Sequence, residues 1–258
     1  MGTAGAETIV ADPVPTDCLP VSAPPLLAPA SELAARVQLA CAHIAVAGKI
    51  VDVTGNPIAG ATVAIGKRST QTGSDGAFQL TALPRANALM SVSKSGFHTS
   101  VRAVELYRPM AEAVVETGRL ALETSASPSV LFSGDFSMGR RFLDPDESTP
   151  RGELPPDDPT ALIRTSDPAT GSLAAVQYVA PLFAPADFRV VNLETPVTKS
   201  LSTPHPTKDY AFFTMPESLV ALQRLGVNFV SMGNNHVYDY QAIGLADTLA
   251  NVTNAGIA

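Results

Sequence analysis

Three short polar runs hold the residue types that could do chemistry: Gly134-Asp135, Asn192-Leu193-Glu194 and Gly233-Asn234-Asn235-His236. Each follows an apolar, β-branched stretch that reads as a strand. Two carboxylates, a carboxamide and an imidazole meeting at one rim suit an oxygen- and nitrogen-ligated divalent ion such as Mn, Fe or Zn. Such an ion turns a water into a nucleophile near neutral pH, and a nearby His can protonate a leaving oxygen. Each residue alone has a structural explanation. Asp135 could cap a turn, Glu194 could be solvated, Asn234 could supply a left-handed position, and His236 could be a hydrogen-bonded loop residue. Three such motifs in order at strand ends favour a site.

The elements that must position them follow from the pattern around them. Val227 to Ser231 reads as a buried strand without charge, and Gln241 to Asn254 as an amphipathic helix closed by Gly256. The polar run therefore sits at the carboxyl end of a strand leading into a helix, where open α/β sheets bind ligands. Ser129 to Asp135 and Phe188 to Val191 read as two more buried strands. Ser172 to Phe183 reads as helical until Pro181, and a second helix begins at Pro216, buries Leu219, Leu222 and Leu225, and stops at Gly226. Helical crossovers require parallel strands, which would bring the three motifs to one edge. Residues 142–171 and 198–214 read as loops; His205 in the latter reads as a surface residue.

The 258 residues allow one large domain or two small ones, and 45% hydrophobic content supports a core. No apolar run approaches the ~18–20 residues that span a bilayer. The net charge of −7 is uneven: residues 45–107 carry six basic and three acidic side chains, and residues 108–258 ten basic and seventeen acidic. So acidic a second half disfavours nucleic acid as a partner but can take phosphate if cations neutralise the carboxylates. Residues 1–44 read as a flexible, Pro- and Ala-rich arm with one short helix over 31–42 and no signal peptide. Cys18 and Cys41 either remain free thiols or pair to tie this arm down in an oxidising compartment.

From Ala45, short strands alternate with turn clusters: 46–53, 61–65, 77–80, 89–94 and 99–106, split by Thr54-Gly55-Asn56-Pro57 and Gly73-Ser74-Asp75-Gly76. That texture predicts a small antiparallel β-sandwich over 45–107. Val114 to Leu122, inside a linker over 108–127, reads as a last sandwich strand or a linker strand. The segments 48–52, 55–63 and 72–78, with Lys94-Ser95-Gly96-Phe97, resemble the carboxypeptidase regulatory-like family. This resemblance implies a transthyretin-like sandwich, an accessory module of extracytoplasmic proteins, with no catalysis of its own.

The second half resembles the CapA family. Gly134-Asp135-Phe136-Ser137-Met138-Gly139-Arg140, Asn192-Leu193-Glu194-Thr195-Pro196 and Asn234-Asn235-His236-Val237-Tyr238-Asp239-Tyr240 match its blocks in order, and Gly244 to Leu249 and Ala255-Gly256-Ile257 continue the match. The resemblance implies poly-γ-glutamate capsule synthesis and a calcineurin-like metallophosphatase fold over 128–258. It further implies metal ligation by Asp135, Glu194 and Asn235, with His236 as the catalytic acid. Arg140, Asn192 and Asn234 would face an anionic polymer or phosphoester substrate, and Asp239 would brace the loop. Other capsule-synthesis membrane proteins would be partners, and the location periplasmic or cell-surface.

The departures from the family are Ser137, where many metallophosphatases place a His ligand, and Gln241, where Gly commonly follows Asp-Tyr. No histidine follows His236, and Ala258 falls where the next strand should begin. The α/β domain is accordingly expected to be incomplete and inactive alone. Two other functions stay open: a general nucleotidase-like phosphoesterase without a capsule role, and a non-catalytic polymer-binding protein that keeps the fold.

Overall fold

The computed structural model describes residues 43–109, 111–139, 142–144 and 161–258. Arg140, Cys18, Cys41 and the helix expected over 31–42 lie outside the described residues. The chain divides between Thr124 and Ser125 into two compact units, each with its own hydrophobic core.

The first unit packs two sheets face to face. One has the order β4-β1-β7, from Ala77–Pro84, His43–Asp52 and Val114–Leu122; the other has the order β3-β2-β5-β6, from Arg68–Gln71, Thr62–Ile65, Ala88–Ser93 and Ser100–Val104. Val46, Ile50, Val63, Leu83, Met90 and Val92 alternate inward along their strands and fill the space between the sheets. The sandwich is not purely antiparallel. Strand β7 runs parallel to β1, so Val114–Leu122 is a strand of this unit's sheet. Strand β3 is too polar and exposed to show in the sequence pattern and is held by pairing to β2.

The turn after β1 is fixed by Asp52. Its carboxylate accepts hydrogen bonds from the Thr54 hydroxyl (2.7 Å), the Asn56 side chain (3.0 Å) and the backbone N–H groups of Thr54 and Asn56 (2.9 and 2.8 Å). The side-chain bonds from Thr54 and Asn56 lower its pKa most, from an ordinary 3.8 to about 2.

The second unit is built on a parallel sheet of order β12-β11-β8, from Phe229–Ser231, Phe188–Leu193 and Val130–Phe136, with a separate two-stranded parallel pair, β9 (Leu143–Asp144) and β10 (Ile163–Arg164), between β8 and β11 in the chain. Helices α1 (Pro168–Val176) and α2 (Ala180–Phe183) connect β8 to β11. A 3-10 turn (Pro216–Leu219) running into α3 (Val220–Leu225) connects β11 to β12. The last helix, α4 (Gln241–Asn254), has the bounds its periodicity predicts. Helix α1 begins four residues before the sequence reading places it, because the Asp167 carboxylate accepts from Thr170 N–H (3.2 Å) and Pro168 supplies the first-turn φ. Gly226, at φ 66°, takes the left-handed position that ends α3 and turns the chain into β12.

Val191, Leu193, Val230 and Phe136 on one face of this sheet pack against Val176, Phe183, Leu219, Leu222 and Leu225. The strands read as buried are buried on this face alone. On the other face Val130, Phe132, Phe188 and Phe229 are exposed, Phe132 by 78%. At the β12 edge, Val230 N–H donates to the Ala258 carbonyl (2.8 Å) and Ala258 N–H to the Asn228 carbonyl (3.0 Å), the pattern of a parallel neighbour.

Candidate active site at the strand ends

Parallel register sets Asn192 beside Asp135 on one side and beside Ser231 on the other. Since side chains alternate along a strand, Asp135, Asn192 and Ser231 share the face opposite the helical core. The ends of β8 and β11 and the turn after β12 thus meet at one rim.

Direct bonds link the three motifs. Asn192 Nδ2 donates to Asp135 Oδ1 at 2.7 Å, and Asn234 Nδ2 donates to Asn192 Oδ1 at 3.0 Å and to the Leu193 carbonyl at 2.9 Å. The Asn234 Oδ1 accepts from His236 N–H at 2.9 Å. Asn234 therefore ties its loop to β11 and sets the direction in which His236 leaves it. Glu194 stays beside the first motif because its N–H donates to the Phe136 carbonyl at 3.1 Å. Its half-buried carboxylate makes no hydrogen bond to another described residue. The Ser137 hydroxyl, two positions after Asp135, is buried and likewise without a partner among the described residues.

The surrounding loops are stapled. Thr214 Oγ1 lies 2.6 Å from Thr195 Oγ1 and accepts from Met138 N–H at 3.1 Å, joining the segments after β11 and β8. Gly139 lies so close to the Phe213 carbonyl that a Cβ there would sit 2.3 Å from the oxygen, so only glycine fits. Thr248 on α4 accepts from Val197 N–H at 2.9 Å.

His236 is held on two sides. Its Nδ1 is 2.8 Å from Oδ2 of Asp239, and its ring stacks on Phe212 with centroids 4.3 Å apart and planes 29° apart. Asp239 is fully buried, and its Oδ2 also accepts from Phe212 N–H at 2.7 Å. Lys208 Nζ binds Asp239 Oδ1 and donates to the Asn235 carbonyl. Asn235 itself is exposed.

Of the residues the sequence singled out, Asp135, Asn192, Asn234, His236 and Asp239 form one hydrogen-bonded chain, with Glu194 and Asn235 at its margin; Arg140 lies outside the described residues. Lys208 and Phe212 were missed, because they come from the 198–214 loop, which has no periodicity. The signal available was a lone Lys-Asp-Tyr run beside aromatic residues. His205, read as a surface residue, donates its N–H to the Asp239 carbonyl at 2.7 Å.

The donors suit a divalent ion in kind but not in number. Asp135, Glu194, Asn235 and the unpartnered Ser137 hydroxyl are hard oxygen donors near one rim. Yet no group of three or more His, Cys, Asp and Glu able to hold a metal occurs among the described residues. Among the described residues, then, oxygen donors are present at this rim without a complete set of ligands.

Residues 129–258 match the model of the family described as bacterial capsule synthesis protein PGA_cap, and residues 45–117 that of the carboxypeptidase regulatory-like domain. Over 79 residues the chain is 33% identical to the PGA biosynthesis protein CapA of Bacillus subtilis (strain 168), a stretch of 31% of this chain and 21% of that protein. Aligned solved structures include a type II cohesin–X-dockerin complex from Acetivibrio cellulolyticus, at 21% identity and TM-score 0.25 over 30% of this chain and 52% of that one. Another is 3-chlorocatechol 1,2-dioxygenase from Rhodococcus opacus 1CP, at 12% identity and TM-score 0.25 over 32% of this chain and 60% of that one. At such scores these two carry no argument about fold or function.

Proposed function

With half of its length matched by that model, this chain belongs to the bacterial capsule synthesis (PGA_cap) family, and from this premise we propose that its second unit is a metallophosphatase-like domain that hydrolyses a phosphoester during poly-γ-glutamate capsule synthesis. The observation that carries the reading is the bonded chain Asp135–Asn192–Asn234–His236, with Glu194 beside it, whose carboxylate has no hydrogen-bond donor among the described residues. A core has no need of a half-buried carboxylate without a donor, whereas a cation does.

In this reading Asp135, Glu194 and Asn235 hold a divalent ion together with ligands beyond the described set. When bound, the ion neutralises the carboxylates and polarises the phosphoryl group and the attacking water. Asn192, which keeps one amide N–H after bonding Asp135, presents it to the substrate's oxygens, whereas Asn234, offered for the same task, spends both of its N–H groups inside the protein and holds the loop; Arg140 adds positive charge. His236 delivers a proton to the leaving oxygen from a ring held in place by Asp239 and Phe212. The sandwich serves as an accessory module.

We place the protein outside the cytoplasm, in keeping with its family and its sandwich module. Among the described residues no helix is long and apolar enough to cross a membrane. An anionic polymer and other capsule-synthesis proteins are the proposed partners, without nucleic acid. A polymer-binding role without turnover is the second reading, favoured by the short ligand set among the described residues.

The test is hydrolysis of an aryl phosphoester by the full-length protein supplied with Mn2+. The enzyme reading expects turnover lost at least ~100-fold in Glu194→Gln and His236→Ala with folding intact. Bound polyglutamate without metal uptake or turnover would establish the binding reading instead.

A further inference from the structure

The sequence offered Asp239 as a loop brace and gave Lys208 no part. Their geometry is more specific. Asp239 Oδ2 receives two donors, Phe212 N–H at 2.7 Å and His236 Nδ1 at 2.8 Å, while Oδ1 receives Lys208 Nζ. The carboxylate is completely buried, and the Lys208 side chain is 26% exposed. The carboxylate of Asp239 can only accept, so the imidazole nitrogen facing it must carry a proton. The stacked Phe212 ring opposes a flip of the imidazole.

We propose that Lys208 and Asp239 are positioning residues that fix His236 as the Nδ1–H tautomer, so that Nε2 is the nitrogen offered to substrate. Lys208 contributes by pinning one carboxylate oxygen to itself and to the loop through the Asn235 carbonyl. The other oxygen is thereby left for the imidazole and the Phe212 amide. This arrangement deepens the reading of His236 as the proton-handling group and rests on it for its use in catalysis. The tautomer is measured without turnover, so absent hydrolysis and a wrong tautomer are separate failures.

An amide at position 239 tests the division of labour. In Asp239→Asn two donors that cannot accept, Lys208 Nζ and Phe212 N–H, compete for one oxygen, and the charged ammonium wins it as the stronger donor. The NH2 group then faces His236 and donates to Nδ1, moving the imidazole proton to Nε2. Removing Lys208 as well, in Lys208→Met/Asp239→Asn, frees the amide to turn. Its oxygen then accepts from Phe212 N–H and His236 Nδ1–H, and the original tautomer returns.

The experiment is long-range 1H–15N correlation of the imidazoles in 15N-histidine-labelled protein, with the ring neutral and His236 assigned by its loss in His236→Gln. Expected are the Nδ1–H pattern in the unsubstituted protein, its replacement by Nε2–H in Asp239→Asn, and its recovery in the double variant. An Nε2–H pattern in the unsubstituted protein, or the same tautomer in the single and double variants, overturns the proposal. Should the single variant fail to fold, a folded double variant with Nδ1–H supports it. A double variant that also fails, or that shows Nε2–H, overturns it.

Discussion

The two units use β-structure in opposite ways. In the sandwich both sheets turn their apolar faces inward, so Val46, Val63 and Ile50 are fully buried, and the turns close on themselves, as Asp52 closes the turn after β1. In the α/β unit one sheet face packs on helices, while the other exposes Val130, Phe132, Phe188 and Phe229 and carries Asp135 and Asn192 at its end. The first arrangement spends its side chains on holding a shape. The second holds its shape from one side only, and its polar groups bond to one another across strand ends. Core packing and the candidate site are thereby divided between opposite faces of one sheet.

The division can be broken most strongly from the core side. Leu222 is fully buried under the sheet, so Leu222→Ala is expected to cost about 2–5 kcal/mol. Hydrogen exchange should show protection lost in β11 and β12 and retained in β1 and β5. The same experiment on Phe132→Ser, on the open face, is expected to move stability by no more than about 0.5 kcal/mol. A large loss there would mean that the exposed face is packed in solution.

A smaller effect is expected where the second unit stores strain at its site. Gln241 adopts φ 54°, and its side chain offsets this by donating to the Thr203 and Pro204 carbonyls at 3.2 and 3.4 Å. A left-handed non-glycine residue costs roughly 1–2 kcal/mol. Gln241→Gly should thus stabilise by up to about 1 kcal/mol after loss of those bonds, whereas Gln241→Ala should destabilise, because it keeps the strain and loses the bonds. Thermal midpoints of the pair decide it; equal shifts would refute the strain.

The smallest effect lies in the sandwich. The Asp52 carboxylate has its pKa lowered from 3.8 to about 2, so the folded state favours its charged form. Its contribution is present above the unfolded value and is lost as pH falls from 3.8 towards about 2. Acid unfolding of the sandwich, followed over that interval, should be less pH-dependent in Asp52→Asn than in the parent. Parallel acid curves would show that the turn bonds add nothing.

What the sequence made legible was local. The strands over 43–52 and 188–193, the helix over 241–254 and the stop at Gly226 follow from apolar periodicity and backbone preference within a few residues. The three polar motifs were legible for the same reason, since each interrupts an apolar run. Contacts between distant segments were not, apart from the meeting of the three motifs, which the need for parallel crossovers foretold. Lys208 reaches Asp239 across 31 positions, and Thr117 on β7 reaches the Ala47 carbonyl across 70. Nothing in a polar loop marks which donor will be folded over which carboxylate. The open sheet face was hidden too, because Phe132 and Phe188 have the composition of buried strands.

The meeting of the three motifs at a single rim is tested most directly by paramagnetic broadening. Mn2+ would be added to 15N-labelled protein, and the amide signals followed by residue. Gly134–Phe136, Asn192–Glu194 and Asn234–His236 should fade together at the same ion concentration, ahead of surface carboxylates such as Asp52 and Asp75. Fading of one motif alone, or of surface carboxylates first, would contradict a shared site.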